Sequence, residues 1–207
     1  MRTSATHCFL GAAAVALALC GTRDACAQTP QPALPRSQVP TLGRPTKPDD
    51  PAPLLDFWLY FKGAWNVTWD YPESPIGPAD VLSGTTVYSQ KSATTFEAVT
   101  KAEHSGGTVT ITDVFEYDRD AHTLVRTVTD SRGVVYTQTG TVNGDLGGQF
   151  TIRLDGVPFG HKGQSVRINS VLRLLSPFNY RTQYTISVDG GPFTNYGNPW
   201  WRKESSK

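Results

Sequence analysis

The stretch "FKGAWNVTWDYP", residues 61–72, places Trp65, Val67, Trp69 and Tyr71 on alternate positions, with Asn66, Thr68 and Asp70 between them. Apolar residues two apart mark a strand with one buried face. Here that face is almost wholly aromatic. A strand so built predicts a β-domain with an aromatic interior, in which Trp65 closes one end and Trp69 and Tyr71 line the wall toward the other.

Working outward from it, "PLLDFWLYFKG" on the N-terminal side carries Leu54, Leu55, Trp58, Leu59 and Phe61 at helical spacing. Pro53 suits the start of a helix and Gly63 its end, so one short helix is expected before the first strand. On the C-terminal side, runs rich in Thr, Val, Tyr and Phe alternate with turn signals about every ten residues. They predict strands near 64–71, 80–89, 94–103, 108–118, 122–129, 134–142, 147–154, 164–175, 178–188 and 192–203. Ten strands joined by short loops imply an all-β fold, an antiparallel meander closed into a barrel. The turns agree: "SRG" at 131–133, "NGD" at 143–145 and "DGG" at 189–191 supply the residues tight hairpins need.

The N-terminal part reads differently. "MRTSATH", the apolar "CFLGAAAVALAL" and "ACA" before Gln28 form the three parts of a secretory signal, expected over 1–27 with cleavage after Ala27. Its apolar run is too short for an integral membrane span. Cys8, Cys20 and Cys26 all leave with it unless Cys20 is lipidated, and Leu19 stands before Cys20 where a small residue is expected. Cleavage also removes Arg2, Arg23 and Asp24, which makes the numbers of basic and acidic residues equal. A neutral chain without a basic run carries no footprint for nucleic acid. Residues 28–53 hold a proline every three or four positions and little to bury, the composition of an extended linker. The barrel is expected over 54–204, and the location is periplasmic or secreted.

Candidate site residues follow from polar positions on apolar faces. A turn centred on Arg119 and Asp120 pairs Ile111 with Val128, Asp113 with Arg126, Phe115 with Leu124 and Tyr117 with His122. The 131–133 loop then sets Tyr136 beside Val128 and Gln138 beside Arg126. Asp113, Arg126 and Gln138 become a polar row between Phe115, Tyr136, Trp69 and Tyr71, either satisfied within itself or completed by a polar ligand head such as a carboxylate. On the outward reading, the row is an ordinary cross-strand salt bridge. Arg167, Arg173 and Arg181 alternate with apolar residues and are expected to face solvent.

No catalytic or metal residues are assigned. His104, His122 and His161 are far apart and have no metal-ligand spacing, and no nucleophile elbow or phosphate loop is present.

The helix, the "GAW" entering the first strand, the ten antiparallel strands and the terminal "WWRK" resemble the calycins: lipocalins, fatty-acid-binding proteins and the nitrobindin-like group. "LLDFWLYFKGAWNVTWD" and "NYRTQYTISVDGGPFTNYGNPWWRK" are similar to a family of small secreted bacterial lipocalin-like proteins. The resemblance implies that Trp65 is the lipocalin tryptophan under a basic side chain, Arg202 or alternatively Lys203. "GAWNVTWDYP" also ends as the haem-binding nitrobindins' first strand does. It lacks their glycines, however, and no histidine follows His161 to ligate iron, so no cofactor is expected. The expected function is binding of a small amphipathic molecule in the barrel. Two alternatives stand beside it: an enzyme with Asp113 as acid or base beside Arg126 and Tyr136, and a packed barrel acting on a protein partner through its surface.

Overall fold

The computed structural model describes residues 51–204; the expected signal segment 1–27 and the expected linker, up to residue 50, lie outside them. In chain order the elements are α1 (Phe57–Phe61), β1 (Gly63–Tyr71), β2 (Asp80–Gln90), β3 (Thr95–His104), β4 (Gly107–Asp118), β5 (Thr123–Asp130), β6 (Val135–Gly144), β7 (Phe150–Gly156), β8 (Phe159–His161), β9 (Gln164–Ser176), β10 (Asn179–Val188), β11 (Thr194–Asn195) and β12 (Trp200–Lys203). Strands β1 to β7 pair in sequence, β7 pairs β9, β9 pairs β10, β10 pairs β12, and β12 returns to β1. Ten antiparallel strands thus close a barrel and leave no open edge. The two short strands are additions, β8 on β9 and β11 on β10.

The single strand expected over 192–203 is instead two pieces. Pro199 lacks a backbone N–H and Gly197 takes φ 103°, so neither continues a ladder. The chain crosses the wall as an irregular segment, Tyr196–Pro199, between β11 and β12. A side chain at Gly197 would run into the Trp69 indole nitrogen and the Asp70 carbonyl, so the position requires glycine.

The helix is shorter than its apolar spacing suggests and buries a different face. Asp56 caps it, its Oδ1 accepting the Leu59 N–H at 2.9 Å. Phe57, Tyr60 and Phe61 point inward, while Leu54 and Leu59 are exposed. Phe57 packs on Phe96, Phe115 and Tyr117; Phe61 packs on Tyr88, Tyr180 and Trp65. The Tyr60 hydroxyl donates to the carbonyl oxygens of Ser176 and Asn179. Thus α1 plugs one end of the barrel, the floor, and the opposite end is the mouth.

Trp65 is fully buried at this floor, its Nε1 donating to the Phe61 carbonyl at 2.7 Å. The cation above its ring is Lys203, not Arg202: the Lys203 Nζ lies 4.9 Å from the ring centre and donates to the Tyr60 carbonyl at 2.9 Å. Strand parity decides this. Trp201 points into the barrel, Arg202 points out, and Lys203 returns to the floor.

Candidate functional site

The β4–β5 hairpin turns through four residues, 119–122, rather than two. The Asp118 carboxylate accepts the N–H groups of Asp120 and Ala121, and His122 adopts φ 56°. Compared with a turn centred on Arg119 and Asp120, the pairing slips by two positions: Asp113 faces Val128, Phe115 faces Arg126, and Tyr117 faces Leu124. A slip of two keeps every side chain on its face. Asp113 and Arg126 become diagonal neighbours inside the barrel and still meet. Across β5 and β6, Arg126 faces Gln138 and Val128 faces Tyr136, the expected register.

The interior ion pair has strict geometry. Arg126 Nε donates to Asp113 Oδ1 at 2.9 Å, and Nη2 approaches the same oxygen at 2.7 Å. Nη1 donates to Gln138 Oε1 at 3.2 Å. Gln138 is anchored in turn, its Nε2 donating to the Ile168 carbonyl and its Oε1 accepting from Ser170. The guanidinium lies between two rings, 5.7 Å from the centres of both Phe115 and Tyr184. Asp113 and Arg126 are each 6% exposed and Gln138 is wholly buried, so the row is interior and not a surface salt bridge. Burial raises the Asp113 carboxyl while Arg126 acts against that rise. Burial is the largest influence on Arg126 and opposes its charge, but Asp113, Tyr184 and Tyr136 together outweigh it and the guanidinium stays charged. Asp113 Oδ2 has no hydrogen bond among the described residues.

Above this pair, toward the mouth, lies a cavity of about 50 Å³ walled by Trp69, Tyr136, Tyr184, Tyr196 and Trp201 with aliphatic residues between them, and roofed by Ile76. A second void of about 20 Å³ lies below it, toward the floor. Asp113, Arg126 and Tyr184 line both voids and divide the interior. One buried water needs about 10–15 Å³ on this measure, so the upper cavity holds roughly three or four water-sized groups. Burial pushes the Tyr136 and Tyr184 hydroxyls up, and both remain protonated at neutral pH. At the rim, Arg132 grips Asp130 through Nε at 3.0 Å and Nη2 at 2.6 Å, a second self-neutralised pair.

Of the residues singled out from sequence, Trp69, Asp113, Arg126 and Tyr136 line the upper cavity. Phe115 lines only the lower void, packed against Phe57 and Tyr88. Gln138 holds Arg126 from behind. Tyr71 is buried beside Trp69 and Tyr196 rather than on the cavity surface. Sequence reasoning missed Tyr196, Trp201, Asp130 and Arg132 as lining residues. Asp130 ends β5 and Arg132 sits in the middle of the 131–133 turn, which reads as loop chemistry, and Tyr196 belongs to the segment taken for a continuous strand.

One cluster at the mouth makes a pH-dependent contribution. Asp80 accepts from the Ser105 hydroxyl at 2.5 Å and from the N–H groups of Val81 and Ser105, with His104 Nδ1 at 3.3 Å. These bonds, the Ser105 hydroxyl first, lower its carboxyl to about 2. A lowered carboxyl stabilises the fold above its unfolded value and loses that contribution as pH falls through the folded one. The melting temperature is therefore expected to drop between about pH 4 and pH 2, and Asp80→Asn, followed by calorimetry, removes that part of the drop.

No protein-family model and no curated protein matches the sequence. Among solved structures the chain is similar to Rv2717c of M. tuberculosis, with a TM-score of 0.60 at 12% identity, over 75% of this chain and 100% of that one. It is also similar to the S-type phycobiliprotein lyase CPES of Guillardia theta, with a TM-score of 0.46 at 9% identity over 73% and 92%. A de novo designed fluorescence-activating β-barrel gives a TM-score of 0.41 at 16% identity over 73% and 100%. At such identities the first likeness speaks for the fold alone, a closed antiparallel β-barrel.

Proposed function

We propose that the barrel is a binding protein for a small, uncharged amphipathic molecule, held in the mouth-side cavity with its polar head on the Asp113–Arg126 pair. The observation that carries this reading is the pair itself. It is buried, mutually neutralised and satisfied on one side, yet it leaves Asp113 Oδ2 unpartnered beneath an aromatic-walled space. A carboxylate head would meet a net-neutral pair, so a neutral group with both a donor and an acceptor fits better. The donor goes to Asp113 Oδ2, and the acceptor takes the Tyr136 or Tyr184 hydroxyl. The cavity limits the buried part to a few heavy atoms, and the remainder lies in the mouth against Ile76.

Residues 1–27 support export with cleavage after Ala27, and on that reading the binding activity belongs to the periplasm or the outside of the cell. The "GAW" and "WWRK" ends support kinship with the small secreted bacterial lipocalin-like barrels. Burial raises the Asp113 carboxyl, the direction an acid or base role needs, while the Arg126 charge works the other way.

Calorimetric titration with hexanamide, hexanoate and hexylamine tests the reading. Hexanamide is expected to bind saturably, at least about tenfold tighter than either charged analogue, in line with the cost of burying an unpaired charge. Val128→Phe, which fills the cavity, is expected to abolish that binding. Equal binding of hexanoate, or binding indifferent to Val128→Phe, would overturn it.

A further inference from the structure

We propose that the outer wall of the barrel across β9, β10 and β12 is a second site, which binds an anionic saccharide chain. In the sheet register Arg173 of β9 faces Arg181 of β10, and Arg181 faces Trp200 of β12. All three project outward, both arginines exposed and the tryptophan half-buried, so three adjacent strands present guanidinium, guanidinium and indole in a row. Arg153 on β7, diagonal to Arg173, and Arg202, two residues beyond Trp200, extend the basic surface on either side. None of these four arginines is in an ion pair among the described residues. Acidic residues also border the wall: Asp70 lines the groove with Arg181 and Trp200, Asp155 accepts from Asn169, and Glu204 stands two residues beyond Arg202.

Like charges directly opposite each other destabilise a sheet. Arg173 against Arg181 is such a pair, and an anion bridging them would convert the repulsion into two charge-assisted contacts. The surroundings are shaped to receive a chain. Where β12 gives way to Asn198 and Pro199, an open groove of about 540 Å³ runs past Arg181, Asn195 and Trp200. It meets a second groove of about 210 Å³ at Arg173 and Gln183, sharing Arg181 and Asn198. The side-chain amides of Asn195 and Asn198 in this groove suit sugar hydroxyls. A single-stranded nucleic acid is the poorer fit, because base stacking calls for successive free aromatic faces. On this wall Trp200 lies under Arg181 at 5.9 Å, and Phe193 lies under Arg167 at 5.6 Å. The basic surface has no counterpart in the sequence, where positions 153, 173, 181 and 202 are far apart.

The test is calorimetric titration of the full chain with a guluronate hexasaccharide, which carries carboxylates, and a heparin hexasaccharide, which adds sulfates. Maltohexaose and oligothymidylate serve as controls. At least one acidic saccharide is expected to bind and to weaken as salt rises. Which one binds identifies the anionic group. Arg173→Gln with Arg181→Gln is expected to weaken binding at least about tenfold, the loss of charge-assisted hydrogen bonds. Its melting temperature should be unchanged or slightly raised, because the replaced pair is repulsive. Arg153→Glu should weaken binding further without affecting the fold. Val128→Phe should leave saccharide binding intact, which separates this wall from the cavity. The proposal fails if neither saccharide binds, if the double variant binds as the native chain does, or if oligothymidylate binds as tightly as either saccharide.

Discussion

Arg126→Ala is expected to destabilise the barrel by about 3–5 kcal/mol, read from the midpoint of urea unfolding. The loss comes from stranding Asp113, a carboxylate 6% exposed, without its guanidinium, and from removing one of the two hydrogen bonds that Gln138 Oε1 accepts. Asp113→Ala strands Arg126 and should lose a similar amount. The double replacement Asp113→Leu with Arg126→Met removes both charges at similar volume, and its loss should be far smaller than the sum of the two single losses. Additive losses would mean that the two side chains do not act as a pair.

Trp65→Ala is expected to lose about 3–5 kcal/mol, since it empties the floor between Tyr60, Phe61 and Tyr180 and removes the bond to the Phe61 carbonyl. The basic partners separate cleanly. Lys203→Ala should lose about 0.5–2 kcal/mol, because its ammonium stacks on Trp65 and holds the Tyr60 carbonyl. Arg202→Ala, on the outer wall, should lose less than about 0.5 kcal/mol. The same urea melts decide it, and a larger loss for Arg202→Ala than for Lys203→Ala would contradict the floor geometry.

These two sites show which features were legible in the sequence. The inward face Trp65, Val67, Trp69, Tyr71 follows from strict alternation, and a period of two survives errors in register as long as they are even. The β4–β5 slip of two positions was such an error. It moved every partner yet left Asp113 and Arg126 on one face, close enough for an Arg side chain to span the diagonal. Parity also explains the misassigned cation. Arg202 and Lys203 are adjacent in sequence, and only the observed register of β12 against β1 shows which one points inward.

What stayed hidden depends on chain segments far apart in sequence. The break at Gly197–Pro199 reads as strand until its backbone is seen pressed against Trp69. The size of the cavity depends on how Tyr184, Tyr196 and Trp201 fill the space, which no local pattern encodes. The row of arginines on the outer wall is likewise a product of strand order.

The most direct test of the binding function is native mass spectrometry of the chain purified from the cell that makes it, with Val128→Phe prepared in parallel. The account predicts a discrete adduct of low mass on the native chain, released on denaturation, neutral in charge and missing from Val128→Phe. A bare native chain, or the same adduct on both proteins, would contradict it.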